Sequence, residues 1–184
     1  VRVQWPSTAF VDETQGVDWY LLAAVIVEDR GLEEYRREAV RWRVGGPKVH
    51  WWAERADRRN MLATNLQRLD LRQLVVVRLR RPNERDERCR RKCLETLLIN
   101  LERIGVETVV FESRERRQND GDREASDYLR RSKVLRGTLR LEHRAGRTEP
   151  LLWLADVLAG AVRVARGGSD EYAALLGAVE IIEV

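Results

Sequence analysis

Three acids sit where the surrounding residues make an acid unexpected. Asp12 follows the apolar pair Phe10–Val11 in "STAFVDE", and Glu112 ends "TVVFE". Asp156 lies inside "EPLLWLADVLAGAVRVARGG", flanked by Leu151, Leu152, Trp153, Leu154, Ala155, Val157, Leu158 and Ala159. An ionised carboxylate is costly to bury without a partner, so Asp156 above all needs something to hold it. If the three carboxylates meet, they repel and become harder to ionise. A divalent cation removes that conflict. Magnesium and manganese take oxygen ligands, keep several waters and bridge to phosphate oxygens. Two such ions about 4 Å apart activate a water and stabilise the leaving oxygen in phosphodiester hydrolysis, with no covalent enzyme intermediate.

Each acid also has an ordinary alternative. Asp12 fits the start of a turn at "DETQG", Glu112 fits an exposed strand end, and Glu54 fits a helix N-terminus, where the dipole favours it. Asp156 could belong to a buried ion pair with an arginine. The only histidines, His50 and His143, are far apart in sequence and form no metal-binding cluster.

The elements that would position these acids alternate. "STAFVDE" reads as a first strand, and Trp19–Asp29 as a fully apolar central strand paired with it. "GLEEYRREAVRWRV" reads as a helix, and "GGPKVHWW" as a break followed by a short strand. Residues Glu54 to Leu69 form a second helix with a Leu62, Leu66, Leu69 stripe. Gln73 to Leu79 is a strand. The segment from Pro82 to Gly105 is a long helix with Asn83 as its N-cap. "ETVVFES" is a strand, "NDGD" (119–122) a loop, and "REASDYLRRSKVLRG" a helix. "TLRLEHR" is a half-exposed strand. Pro150 opens the helix that carries Asp156, "EYAALLG" is a short helical turn, and "AVEIIEV" is a last strand. A hairpin followed by alternating strands and helices predicts one α/β domain over residues 1–184, with a mixed sheet and helices on both faces. Ligands in such sheets gather at strand ends near a change of strand order.

The 184 residues are 43% hydrophobic and 35% charged, which is a globular composition. The formal net charge is +4 and the pI is about 9.4. The positive charge is nearly all arginine, with Lys48, Lys92 and Lys133 the only lysines. Arginine suits phosphate, although biased codon usage gives the same composition. "RLRRPNERDERCRRK" is the densest basic stretch, diluted by Glu84, Asp86 and Glu87. Arg114, Arg116 and Arg117 leave Glu112 directly and are placed to contact phosphates. Trp51 and Trp52 offer a stacking face, with one of the two expected in the core. Cys89 and Cys93 share a helix face with Leu97 and Leu101 and read as buried thiols, too sparse for a zinc site. Nothing suggests a disulfide scaffold and the chain does not open on a basic region followed by an apolar run, so a cytoplasmic protein is expected; the apolar part of the Asp156 helix is too short to span a bilayer, so no membrane partner is expected. A homo-oligomer or a protein partner remains open.

At "FVDETQG" followed by "WYLLAAVIV", and again at "LWLADVLAGAV", the chain resembles the domain of unknown function numbered 3800. "PKVHWW" is similar to that family's middle segment, where a lysine often precedes a short strand, and "TVVFES" occupies the place of a strand that often ends in an acid. The resemblance runs in order through nearly the whole chain. It implies a ribonuclease H-like fold, with one acid on the first strand, another on the last long helix, and further acids between them holding magnesium or manganese. It places metal-binding roles on Asp12 and Asp156 first and on Glu112 next, with Glu13 and Glu54 as weaker candidates. Lys48 joins Arg114, Arg116 and Arg117 as a nucleic-acid contact. The chain departs from the pattern at Gln15, which displaces the expected glycine of the turn, at Arg78, where relatives can carry an acid, and at Glu112, where aspartate is more usual. The expectation is therefore a metal-dependent nuclease, with a decayed nuclease fold that binds nucleic acid or serves in assembly as the alternative.

Overall fold

The computed structural model describes residues 5–184. Six strands, β1 (Ser7–Gln15), β2 (Trp19–Glu28), β3 (Arg72–Leu79), β4 (Val106–Glu112), β5 (Arg140–Arg144) and β6 (Val179–Glu183), form one sheet in the order β5-β4-β1-β2-β3-β6. The β1–β2–β3 meander is antiparallel, whereas β4 pairs with β1, β5 with β4 and β6 with β3 in parallel. The strand order changes at β1: the chain leaves the meander after β3, crosses over through α3 (Asp86–Arg103) and returns as β4 on the free side of β1. This mixed sheet is compatible with a ribonuclease H-like fold.

Five helices cover it: α1 (Leu32–Arg41), α2 (Ala56–Arg68), α3 (Asp86–Arg103), α4 (Arg116–Arg131) and α5 (Leu151–Arg166). The pleat of β2 sorts its apolar run into two cores. Leu21, Ala23, Val25 and Val27 pack toward α1, α2 and α5, while Tyr20, Leu22, Ala24 and Ile26 pack toward α3 and α4. Burial on both faces explains why β2 is a continuous apolar run rather than an alternating one. The same parity aims the acids. Phe10 and Val110 belong to the α5-side core, so Asp12 and Glu112, two residues further on, project to that side; Val11 belongs to the other core, and Glu13 follows it.

Several sequence expectations are corrected. β1 runs through Gln15, and Asp12 pairs with Ala23 within the ladder. The turn is tightened only at Gly16, whose N–H donates to the Trp19 carbonyl, so Asp12 is not a turn residue. The segment after "GGPK" is a single 3-10 turn, Trp51–Ala53, instead of a strand. Asn83 has φ 60° and lies in the turn before α3, whose N-cap is Arg85. Residues 119–122 are not a loop. They lie inside α4, where Asp122, Ala125, Ser126 and Leu129 form a buried stripe at helical spacing; this stripe outweighs the local turn propensity of "NDGD". Gly121 sits exposed in that helix, with nothing within 4 Å of the position a Cβ would take. Gly121→Ala is therefore expected to raise stability by about 1 kcal/mol, read as a higher urea midpoint with an unchanged slope.

Candidate active site

Asp12 and Glu112 leave adjacent strands at the end of the sheet where β1 and β4 run side by side, and Asp156 approaches Asp12 from α5. The parallel register pairs Val11 with Phe111, so Asp12 and Glu112 are the next residues on adjacent strands. α5 crosses the same face and lies against β1, β2 and β4. Ala155, Val157, Leu158 and Ala159 around Asp156 are buried against the sheet. That burial is the physical reason the helix is apolar nearly all round. The Asp156 side chain, 16% exposed, points to the strand ends.

The carboxyls of Asp12 and Asp156 lie within hydrogen-bonding reach of each other. Asp12 is held well above the ordinary carboxylate range. Desolvation is the largest cause; the charges of Asp156 and Glu112 and the hydrogen bond to Asp156 add to it, and Lys48 opposes it.

The segment between α1 and α2 supplies what positive charge there is. The Lys48 ammonium donates to both oxygens of Glu112, at 2.7 and 3.0 Å. The Trp51 backbone N–H donates to Asp156 Oδ2 at 2.7 Å, and His50 Nδ1 stands 3.5 Å from the same oxygen. That bond to Asp156 raises the His50 pKa. Asp156 is thus capped by a backbone amide and a half-exposed histidine, and no arginine pairs with it among the described residues.

Two glycines let these partners approach. A Cβ on Gly160 would lie 2.2 Å from the Trp51 ring, and one on Gly146 would lie 2.3 Å from Glu112 Oε1. Trp51 is fully buried over α5 and meets Tyr172 edge-on at 5.0 Å, so Gly160 is the seat that fixes the 3-10 turn one helical turn beyond Asp156. Gly160→Ala is expected to destabilise the protein by about 1–3 kcal/mol despite the gain in helix propensity. The urea midpoint should fall, in contrast to Gly121→Ala.

The remaining candidates are placed differently. Glu13 faces the opposite side of the sheet, where it pairs with Arg90 and lies 3.8 Å from Arg114. Glu54 lies outside α2, just after the 3-10 turn, and pairs with Arg58 at 3.4 Å. Glu13 is thus on the other face from Asp12 and Asp156, and Glu54 is engaged by Arg58. Arg114 is committed to Glu87 at 3.3 Å and Asp122 at 3.4 Å, and Lys48 to Glu112. Arg116 and Arg117 are exposed at the start of α4. Cys89 and Cys93 are buried free thiols.

A second polar cluster, illegible in the sequence, underlies the first. Asp122 accepts from Arg90 Nε at 2.9 Å and Nη2 at 2.8 Å, and His143 Nε2 lies 3.0 Å from its Oδ2. Burial opposes ionisation of Asp122, but the bonds to His143 and Arg90 outweigh it and hold the carboxyl far below its usual range. Arg90 also bonds Glu13, so this cluster braces the far side of β1 directly behind Asp12. A cleft of about 150 Å³ opens between the two clusters, lined by Asp12, Glu13, Arg90, Glu112, Ser113 and Arg114.

Among the described residues, no group of three or more His, Cys, Asp or Glu stands ready to hold a metal ion, and no helix is long and apolar enough to cross a membrane. No family model and no curated protein matches the chain, so the site is read from its own geometry.

Proposed function

We propose that the protein is a metal-dependent phosphodiesterase acting on nucleic acid, with Asp12 and Asp156 as the pair that holds magnesium or manganese and Glu112 as the third acid. One observation carries this reading: two carboxyls from distant parts of the chain face each other at the strand ends with no arginine between them among the described residues, and burial, reinforced by the charge of Asp156, holds Asp12 well above the ordinary carboxylate range. The donors are all carboxylate oxygens, the chemistry that magnesium and manganese prefer. A cation there would offset the repulsion between the two carboxyls. Bound, it would supply positive charge against a phosphate oxygen and a water of lowered pKa.

The chain's own residues do the rest. The Trp51 amide fixes the orientation of Asp156. Lys48 neutralises Glu112; if Glu112 turns to the ion, the ammonium is left beside the place a phosphate would occupy. The half-exposed His50 lies next to Asp156, where it can exchange a proton with solvent.

A second reading, a nucleic-acid-binding or assembly protein on a decayed nuclease fold, is favoured by one observation: Lys48 already occupies both oxygens of Glu112. Calorimetric titration with manganese, paired with a cleavage assay on end-labelled oligonucleotides, separates the two. The nuclease reading expects saturable manganese binding and manganese-dependent cleavage. Nucleic-acid binding with neither would leave only the second reading.

A further inference from the structure

Beside Asp156 the structure carries a feature that phosphodiester cleavage alone does not require. Trp52 follows the Trp51 amide that caps Asp156, yet its own side chain turns outward and is 46% exposed. Two guanidinium groups lie against its ring, Arg163 at 4.9 Å and Arg59 at 5.1 Å from the centroid. Neither arginine has a carboxylate partner among the described residues. Arg59 donates to the Trp51 carbonyl at 3.0 Å and the Trp52 carbonyl at 3.3 Å, and Arg163 donates to Thr14 Oγ1 at 3.0 Å and to the Gln15 carbonyl. In a chain whose other site arginines, Arg90 and Arg114, are neutralised by acids, these two keep their full positive charge.

We infer that Trp52, Arg59 and Arg163 form a binding site for unpaired nucleotides that delivers a single-stranded nucleic acid to Asp12 and Asp156. Indole and guanidinium groups both offer flat faces on which bases stack, and the stacking does not depend on base identity. The uncompensated guanidinium charges suit the phosphates on either side of a stacked base. A duplex keeps its bases stacked on each other and offers no free face to this cluster. The position is also apt. Arg163 lies on α5 two turns beyond Asp156, and its hydrogen bonds reach the end of β1. The cluster therefore bridges the two elements that carry the acids. The inference rests on the reading of those acids as the cleavage site, and it adds the substrate class.

The test measures binding and cleavage apart. Fluorescein-labelled 12-nucleotide single strands, one DNA and one RNA, and the matching DNA duplex are titrated with the protein in EDTA and followed by anisotropy. Trp52→Ala is expected to weaken single-strand binding about tenfold or more, within the range of one lost base stack, while Trp52→Phe stays within about threefold of wild type. Arg59→Gln and Arg163→Gln should each lower the salt dependence of single-strand binding. A tighter complex with one of the two single strands identifies the sugar. Equal affinity for duplex and single strand, or wild-type affinity of Trp52→Ala, overturns the inference. Cleavage in manganese is scored separately. Trp52-dependent binding without cleavage keeps the nucleotide site and rejects the nuclease, whereas cleavage unaffected by Trp52→Ala keeps the nuclease and rejects the site.

Discussion

Asp12→Asn is expected to abolish manganese-dependent cleavage and at the same time to make the metal-free protein more stable at neutral pH. A residue needed only for folding would not show both effects. The loss of rate should be roughly 10³-fold, about 4 kcal/mol of transition-state stabilisation. The gain in stability follows from the raised Asp12 pKa. An acid whose folded pKa lies above its unfolded value near 4 contributes stability that is complete below that value and is lost as pH rises through the folded one. Above the unfolded value the wild-type carboxyl must either ionise beside Asp156 and Glu112 or hold a proton that the unfolded chain releases, and either way stability falls as pH rises, whereas asparagine stays neutral. The metal-free variant should therefore melt a few degrees higher at pH 8, on the scale of about 1 kcal/mol for a domain of this size, and the advantage should shrink toward pH 4. Manganese should reverse the order. A ligand at one hundred times its Kd stabilises the wild type by about 2.7 kcal/mol, and the variant should gain little. Thermal melts at two pH values, with and without manganese, read all of this. A variant that melts below wild type at pH 8 without metal would show that the two carboxyls do not oppose each other.

The second large effect concerns the brace behind the site. Arg90→Met is expected to cost about 3–5 kcal/mol, because it leaves Asp122 and Glu13 without their shared buried cation. Methionine fills much of the volume, so the loss is chiefly electrostatic. Asp122 retains His143 and Arg114, which places the expected value at the lower end of that range. The sign with pH is opposite to that of Asp12. A carboxyl with a depressed folded pKa contributes stability that is present above its unfolded value near 4 and is lost as pH falls through the folded one. The gap between wild type and Arg90→Met, read from urea midpoints, should thus be widest near pH 7 and narrow below pH 4. A gap independent of pH would mean that the packing of Arg90 over the Phe111 ring, 5.4 Å from its centroid, matters more than its charge.

These predictions separate two layers of the same strand ends. On the α5 side, Asp12 faces Asp156, and the nearby donors are Lys48 on Glu112 and the Trp51 amide and His50 at Asp156. On the α3–α4 side, Glu13 and Asp122 are matched by Arg90 and Arg114, as a structural network is. Both sides meet at β1, whose alternation sends Asp12 one way and Glu13 the other.

The order and type of the strands, the pairing of the first two and the α/β class were legible in the sequence. Apolar periodicity and glycine breaks report local burial, and the run from Trp19 can be a run only in a strand covered on both faces. The anomaly of Asp156 was legible too, because a carboxylate among apolar residues on every side of a helix implies a partner. Local propensity misled at "NDGD", where a turn-forming tetrapeptide lies within a helix because Asp122 finds Arg90 and His143 across the fold. It misled again after "GGPK", where Trp51 packs on Gly160 and closes a 3-10 turn instead of a strand. Only the tertiary structure decided that Asp12 and Asp156 face each other, that Lys48 bonds Glu112 and the Trp51 amide bonds Asp156, and that Glu13 turns to Arg90 and Glu54 to Arg58. Those facts depend on the parallel register of β1 with β4 and on the packing of α5 across both strands. Such long-range contacts, between residues far apart in the chain, leave no periodic trace in it.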